Sequence, residues 1–295
     1  MIGIYHYKDF DGIASGAIMK KAFPKIKLIG YHYNEPLTLP EENQMVYMAD
    51  VSLPMEKMAE IARYSRHKFT WIDHHKTAID AYNRFVSGPE MTPAFEAVTK
   101  VGVGACKLCW QYFFPGTRVP EGVELLSTYD VWDQKDPVHW ESRVLPFQYG
   151  LRSLCGSVED LPGFVLEDGP GVAAKINEVI REGKIVLRYM RMSNKRYTHD
   201  YGFEADVFGY RAICKNGGDF NSNAFKGNYD PDRHDIMLAF VYTHPNWYFS
   251  IYTEKDIDVG EIARRMGGGG HKKAAGFDLD DISKMAWKIS KTIRK

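Results

Sequence analysis

The residues Phe69-Thr70-Trp71-Ile72 form a short, bulky, partly β-branched run that stops abruptly at Asp73-His74-His75-Lys76. A buried parallel strand reads this way, and open α/β sheets bind ligands where such strands end. Strand side chains alternate, so Asp73 and His75 share one face and His74 takes the other unless the chain turns there. Taken alone, a carboxylate beside two imidazoles is as compatible with chance as with a metal or catalytic role. The pattern recurs upstream, and the recurrence constrains the fold. Gly3-Ile4-Tyr5-His6-Tyr7 runs into Lys8-Asp9-Phe10-Asp11-Gly12, and Met45-Val46-Tyr47-Met48-Ala49 ends in Asp50.

Helical patterns separate these runs. One follows Gly12 through Met19, and another opens at Leu53-Pro54 and continues through Met58 and Ile61. With one further strand-like run at 25–31 beside those at 3–7, 45–50 and 68–73, the alternation predicts an α/β domain with a doubly wound, mainly parallel sheet. Three strand ends would then gather His6, Asp9, Asp11, Asp50, Asp73, His74 and His75 at one sheet edge. Asp11 also reads as a helix N-cap, but capping leaves His6 and Asp9 unexplained. Crowded carboxylates repel one another, and a bound cation is the simplest relief. The pattern therefore predicts a metal site.

Further along, the stretch from Pro93 to Phe113 reads as an apolar helix. Its Cys106 and Cys109 lack a second ligand pair, so they are expected to be buried thiols in a reducing compartment and not a zinc knuckle. Residues 121–133 have helical spacing, with Leu125, Leu126, Tyr129 and Trp132 as core. Asp130 and Asp133, three apart, either lean towards one site or face solvent. A long, charged amphipathic pattern over 169–200 is expected to connect a catalytic domain (1–168) to a smaller α+β domain (201–295). In the latter, 205–213, 235–242 and 247–253 are strand-like, with a turn at His244-Pro245-Asn246. Asp258 is placed to cap a helix carrying Ile262, Ala263 and Met266.

Gly267-Gly268-Gly269-Gly270 then precedes His271-Lys272-Lys273 and the apolar Ala274-Ala275-Gly276-Phe277. Four glycines in a row are costly unless backbone must approach something closely. Bare amides backed by His and Lys suit a phosphate or carboxylate cradle; the plainer alternative is a flexible loop. Lys plus Arg equals Asp plus Glu at 38 each, which does not exclude a nucleotide substrate but favours a small, locally gripped one over a long duplex. No apolar stretch has membrane-spanning length, and the first residues enter a strand without a basic leader, so a cytoplasmic protein is expected.

With these motifs in hand, the chain resembles the DHH phosphoesterase superfamily, in the branch with a DHH-associated C-terminal domain. The resemblance rests on His6-Tyr7-Lys8-Asp9-Phe10-Asp11-Gly12, Asp50, Asp73-His74-His75, Asp130 and the 267–276 run, in family order over nearly the whole chain. It implies two Mn²⁺ ions, with Mg²⁺ or Co²⁺ as substitutes. His6 and Asp9 would bind one ion, Asp11, His74 and Asp130 the other, and Asp50 would bridge them. Asp73 would be a ligand or an outer partner, and His75 would face the scissile phosphate or the leaving oxygen. Gly268, Gly269, Gly270, His271, Lys272 and Tyr252 would bind substrate across an interdomain cleft.

The implied activity is hydrolysis of very short oligonucleotides, such as pGpG, pApA or nanoRNA, to mononucleotides by a two-metal-activated hydroxide. The resemblance leaves open a phosphoadenosine phosphate phosphatase, a cyclic-dinucleotide phosphodiesterase, an inert nucleotide-binding regulator and a homodimeric state. A manganese pyrophosphatase is disfavoured by the glycine-rich run. Two departures stand out. The spacing from His6 to Asp9 is not the family's commonest, and Tyr252 stands where relatives often carry arginine, so it can stack on a base but cannot grip phosphate bidentately.

Overall fold

The computed structural model describes residues 1–293 apart from 34, 39–42, 67, 88–94 and 219–220. The chain divides into two compact units, Met1–Val186 and Leu187–Lys295. In the first, β1 (Ile2–His6), β2 (Lys27–Tyr31), β3 (Val46–Ala49), β4 (Phe69–Asp73) and β5 (Glu96–Thr99) are parallel throughout, in the order β2-β1-β3-β4-β5. β3 and β4 are buried at every position, which explains their continuous apolar composition.

Helix α1 (Phe10–Ala22) is buried from Phe10 to Met19. By contrast, α2 (Met55–Tyr64) and α3 (Lys76–Val86) carry single apolar stripes. Met55, Met58, Ile61 and Ala78 from those stripes join Ile2, Ile4, Met48 and Trp71 in one core. α1 packs against β1, α4 (Ala105–Phe113) and α5 (Glu121–Asp130), and being covered on several sides it shows no single apolar stripe.

Asp9, not Asp11, caps α1: its Oδ1 accepts the Gly12 N–H at 2.9 Å. Asp11 lies in the first helical turn and is buried. A Cβ at Gly12 would sit 1.9 Å from the His6 carbonyl oxygen, so only glycine lets α1 begin directly over the end of β1. The expected helix from 93 to 113 is instead β5 followed by α4; Pro93 lies outside the described residues. Four residues are too few to show a period, and β5 is defined by its pairing with β4, from Thr70↔Glu96 to Asp73↔Thr99. α5 stops at Asp130, and Trp132 at φ +54° turns the chain.

After α6 (Pro137–His139), a π-helical turn (Trp140–Val144) and α7 (Leu145–Leu151), the long α8 (Val172–Tyr201) spans the division between the units. The second unit holds β6 (Phe203–Val207), β7 (Tyr210–Asn216), β8 (Ile236–Thr243), β9 (Asn246–Tyr252), β10 (Gly269–Gly270), β11 (Ala274–Leu279) and β12 (Trp287–Thr292). They form a mixed sheet ordered β10-β11-β9-β8-β7-β6-β12, with α9 (Val259–Arg265) packed on it. The run 205–213 is two strands, because Phe208 and Gly209, at φ +54° and +84°, make a tight hairpin turn. The α/β architecture is as expected: a parallel sheet first, then a separate mixed α+β unit. No helix among the described residues is long and apolar enough to cross a membrane.

The glycine run closes α9. Gly267 sits at φ +84°, its N–H donates to Arg264 O at 3.1 Å, and the Gly268 N–H donates to Ala263 O at 2.9 Å. That is the Schellman arrangement of a helix C-terminus. A Cβ at Gly268 would lie 2.1 Å from Gly276 O on β11, whereas one at Gly269 meets nothing within 4 Å. Gly268→Ala is therefore expected to cost about 1–3 kcal/mol in urea denaturation. Gly269→Ala should stay within about 0.5 kcal/mol of the parent; equal costs would contradict this packing.

Candidate metal centre

β1 and β3 are neighbours although β2 lies between them in sequence, so the direction in which successive strands are added reverses between β1 and β3. Doubly wound sheets hold ligands at such a point. β1 delivers His6, and the turn into α1 adds Asp9 and Asp11. β3 leads directly into Asp50, β4 ends at Asp73, and α5 ends at Asp130. Asp50 has left-handed backbone at φ +61°, a conformation aspartate tolerates better than most residues. Its N–H donates to Ile72 O at 3.0 Å, and Trp71 Nε1 donates to Val51 O at 3.1 Å, so β4 clamps the turn on both sides.

Two groups converge there. His6 Nδ1 lies 2.8 Å from Asp9 Oδ2 and 3.6 Å from Asp50 Oδ2. His74 Nε2 lies 3.0 Å from Asp130 Oδ2, 3.3 Å from Asp50 Oδ1 and 3.8 Å from Asp11 Oδ2. Asp50 thus turns one oxygen to each imidazole. Ligand-capable atoms cluster as His6/Asp9/Asp50, Asp11/His74/Asp130 and Asp50/Asp73/His74/His75.

The chain turns at the end of β4. Asp73 Oδ1 accepts the His74 N–H at 2.7 Å and the His75 N–H at 3.2 Å, and lies 2.7 Å from His75 Nδ1. This turn sends His74 inward, with its side chain 6% exposed, and leaves His75 at the rim at 27%. Asp11 accepts N–H bonds from Ala105 (2.5 Å) and Cys106 (3.0 Å), at the positive end of α4.

Burial, then the charge of Asp130, pushes the Asp11 carboxyl up to about 6. Burial together with Asp9, Asp11, Asp130 and Asp73 drives Asp50 well above the carboxylate range. For Asp9 burial acts upward, but the adjacent His6 imidazole outweighs it and holds the group low. Burial opposes a charged His74, yet Asp130, Asp11 and Asp73 raise it to about 9. Asp73 raises His75 against the same burial penalty.

Despite these approaches, His6 Nδ1, both Asp50 oxygens, Asp73 Oδ2 and His74 Nε2 are buried without an aligned hydrogen-bond partner. Buried polar atoms are ordinarily satisfied, so five converging orphans call for a shared partner. Carboxylate oxygens and imidazole nitrogens with no thiolate suit a hard to borderline dication such as Mn²⁺ or Mg²⁺. The residues fit that group.

Asp133 stands apart from this cluster. It lies beyond the end of α5, where its Oδ1 accepts the Lys135 N–H at 3.2 Å. The four cysteines are buried and free of disulfides. In the second unit, Tyr252 packs against the cluster of Phe225 and Met237. Lys272 Nζ pairs with Asp256 at 2.6 Å, and the exposed His271 donates its N–H to Ala274 O at 2.7 Å. The expected bare amides are not bare at Gly267 and Gly268, where α9 carbonyls take them. Gly269 and Gly270 form β10 against β11. Sequence reasoning missed His32, whose Nδ1 is 3.0 Å from His6 Nε2. The signal was present: the run 25–31 also ends at an imidazole.

Fold and site together define a two-unit α/β protein with an acid-and-imidazole centre at the switch point of its parallel sheet. The DHHA1 domain family matches residues 228–294, within the second unit, in line with the resemblance to the DHH phosphoesterase superfamily. Protein R106 of Acanthamoeba polyphaga mimivirus is 25% identical over 81% of this chain, and the match spans 54% of that protein's length. Oligoribonuclease NrnB of Bacillus subtilis (strain 168) is 22% identical, covering 95% of this chain and 73% of its own. The solved DHH domain of a protein from a family of ribosomal proteins shares the fold, with a TM-score of 0.53 at 14% identity, over 95% of this chain and 82% of that one.

Proposed function

We propose that this chain is a Mn²⁺-dependent phosphodiesterase that hydrolyses linear dinucleotides and other very short oligonucleotides to mononucleotides. The observation that carries the reading is Asp50, whose two buried, unpartnered oxygens face separate groups, His6/Asp9 and Asp11/His74/Asp130. Those groups would each hold one ion with Asp50 shared. Bound there, a pair of dications would activate water and stabilise charge on the phosphodiester oxygens. His75, its Nδ1 held by Asp73 and its proton affinity raised, would act as electrostatic stabiliser or as general acid to the leaving oxygen. Gly268, Gly269, Gly270, His271, Lys272 and Tyr252 remain the residues proposed to bind the substrate. The name of the Bacillus relative, an oligoribonuclease, supports the substrate class.

The test is a substrate panel incubated with purified protein and Mn²⁺: 5′-phosphorylated dinucleotides, longer oligomers, cyclic dinucleotides, phosphoadenosine phosphate and pyrophosphate. Linear dinucleotides should disappear at least about tenfold faster than the others, a discrimination of ~1.4 kcal/mol. Faster loss of phosphoadenosine phosphate or of cyclic species would reassign the substrate. No turnover of any would leave a nucleotide-binding regulator.

A further inference from the structure

We infer that His32 is a positioning residue for the candidate metal centre, fixing the tautomer and ring plane of His6 so that His6 Nδ1 presents its lone pair to a cation. The inference rests on the metal reading above and extends it to β2, the edge strand. β1 and β2 run parallel with His6 opposite Tyr31, so the residue after Tyr31 is carried alongside His6 at the same sheet edge. His32 Nδ1 lies 3.0 Å from His6 Nε2. The two ring centroids are 5.2 Å apart, with planes inclined by 22°. That separation exceeds the nitrogen-to-nitrogen distance by roughly two ring radii, so the rings meet edge-on in nearly one plane, as an aligned N–H···N bond requires.

One proton lies between these nitrogens, and its placement follows from the other end of His6. Nδ1 faces Asp9 Oδ2 and Asp50 Oδ2 and must be unprotonated to ligate. With an ion bound, the His6 proton would sit on Nε2 and be donated to His32 Nδ1. Ligating histidines generally donate their second N–H to such a partner, which raises ligand basicity and fixes orientation. His32 is itself held by rings: Tyr7 lies edge-on at 6.3 Å and Tyr33 at 6.0 Å. The Tyr7 hydroxyl donates to Glu35 Oε1 at 2.7 Å, tying the segment after β2 back to β1. Without His32, the His6 ring would be free to carry its proton on Nδ1 and pair with Asp9, which blocks ligation.

The test is calorimetric titration of Mn²⁺ alone into metal-stripped wild type, His32→Ala and His32→Asn, with thermal melts of each metal-free protein. The asparagine amide oxygen falls near the position of imidazole Nδ1 and can accept the same proton. Wild type should show two binding events. His32→Ala should weaken one of them by about 10–100-fold and leave the other unchanged. His32→Asn should recover most of that loss, with all three metal-free melting temperatures close together. A general structural role would instead lower the melting temperature and weaken both events in the two variants alike, which would overturn the inference. Wild-type affinity at both sites in His32→Ala overturns it while sparing the metal reading. A wild type that binds no Mn²⁺ overturns both.

Discussion

Replacing Asp50 with alanine or asparagine is expected to lower turnover of a linear dinucleotide by about a thousandfold, comparable to removing one strong electrostatic group from an active site. The same change should raise the stability of the metal-free protein. The two effects share one cause. Asp50 is buried, left-handed in its backbone, and crowded by Asp9, Asp11, Asp130 and Asp73, so its charge costs the metal-free fold free energy. With a pair of dications present, that same charge becomes the shared ligand. Asn is the cleaner stability probe because it keeps the shape while removing the charge. Activity within tenfold of wild type would sink the bridging role. A lower melting temperature of metal-free Asp50→Asn would show that the carboxylate is already satisfied within the fold.

Adding Mn²⁺ to the metal-stripped protein is expected to give a large rise in melting temperature that a chelator reverses. A hundredfold excess over the dissociation constant contributes about 2.7 kcal/mol per site. The effect should grow with pH, and the signs follow from three groups. Asp11, at about 6 when folded, and Asp50, raised further, bind protons more tightly in the native than in the unfolded chain. His74, at about 9, does the same against its ordinary value of 6.5. Where the native state holds more protons, stability falls as pH rises. The carboxyls act from their ordinary value of 3.8 up to about 6 and above, and His74 acts between 6.5 and about 9. Asp9 is shifted the other way, so its opposing contribution lies at or below its ordinary value of 3.8.

Between about pH 4 and 9 the metal-free protein should therefore lose stability progressively, and saturating Mn²⁺ should flatten the profile. At neutral pH, Mn²⁺ binding must displace the His74 proton. Calorimetry in buffers of different ionisation enthalpy should detect that release. Binding without proton release would contradict the proposed ligand set.

Several features were legible in the residues because they depend on local pattern. β3 and β4 are buried on both faces and so read as uninterrupted apolar runs. The polar groups at their ends, Asp50 and Asp73-His74-His75, stand out against that background. Asp258 was recognisable as a cap, and its side chain does accept the Glu261 N–H at 3.0 Å. Other features depend on partners distant in sequence. β5 is too short to show a period and exists through its ladder with β4. The choice of Asp9 over Asp11 as cap depends on Asp11 being taken by the amides of Ala105 and Cys106, 94 and 95 residues away.

The sequence by itself determined the alternation of strands and helices and the chemical types available at the strand ends, because both follow from side-chain periodicity and composition. Only the tertiary structure decided that β1 and β3 are adjacent, that Asp50 turns one oxygen to each imidazole group, and that His32 meets His6 edge-on. Those relations come from strand order and parallel register. They are set by burying whole sheet faces, and a one-dimensional pattern does not encode which strands pair.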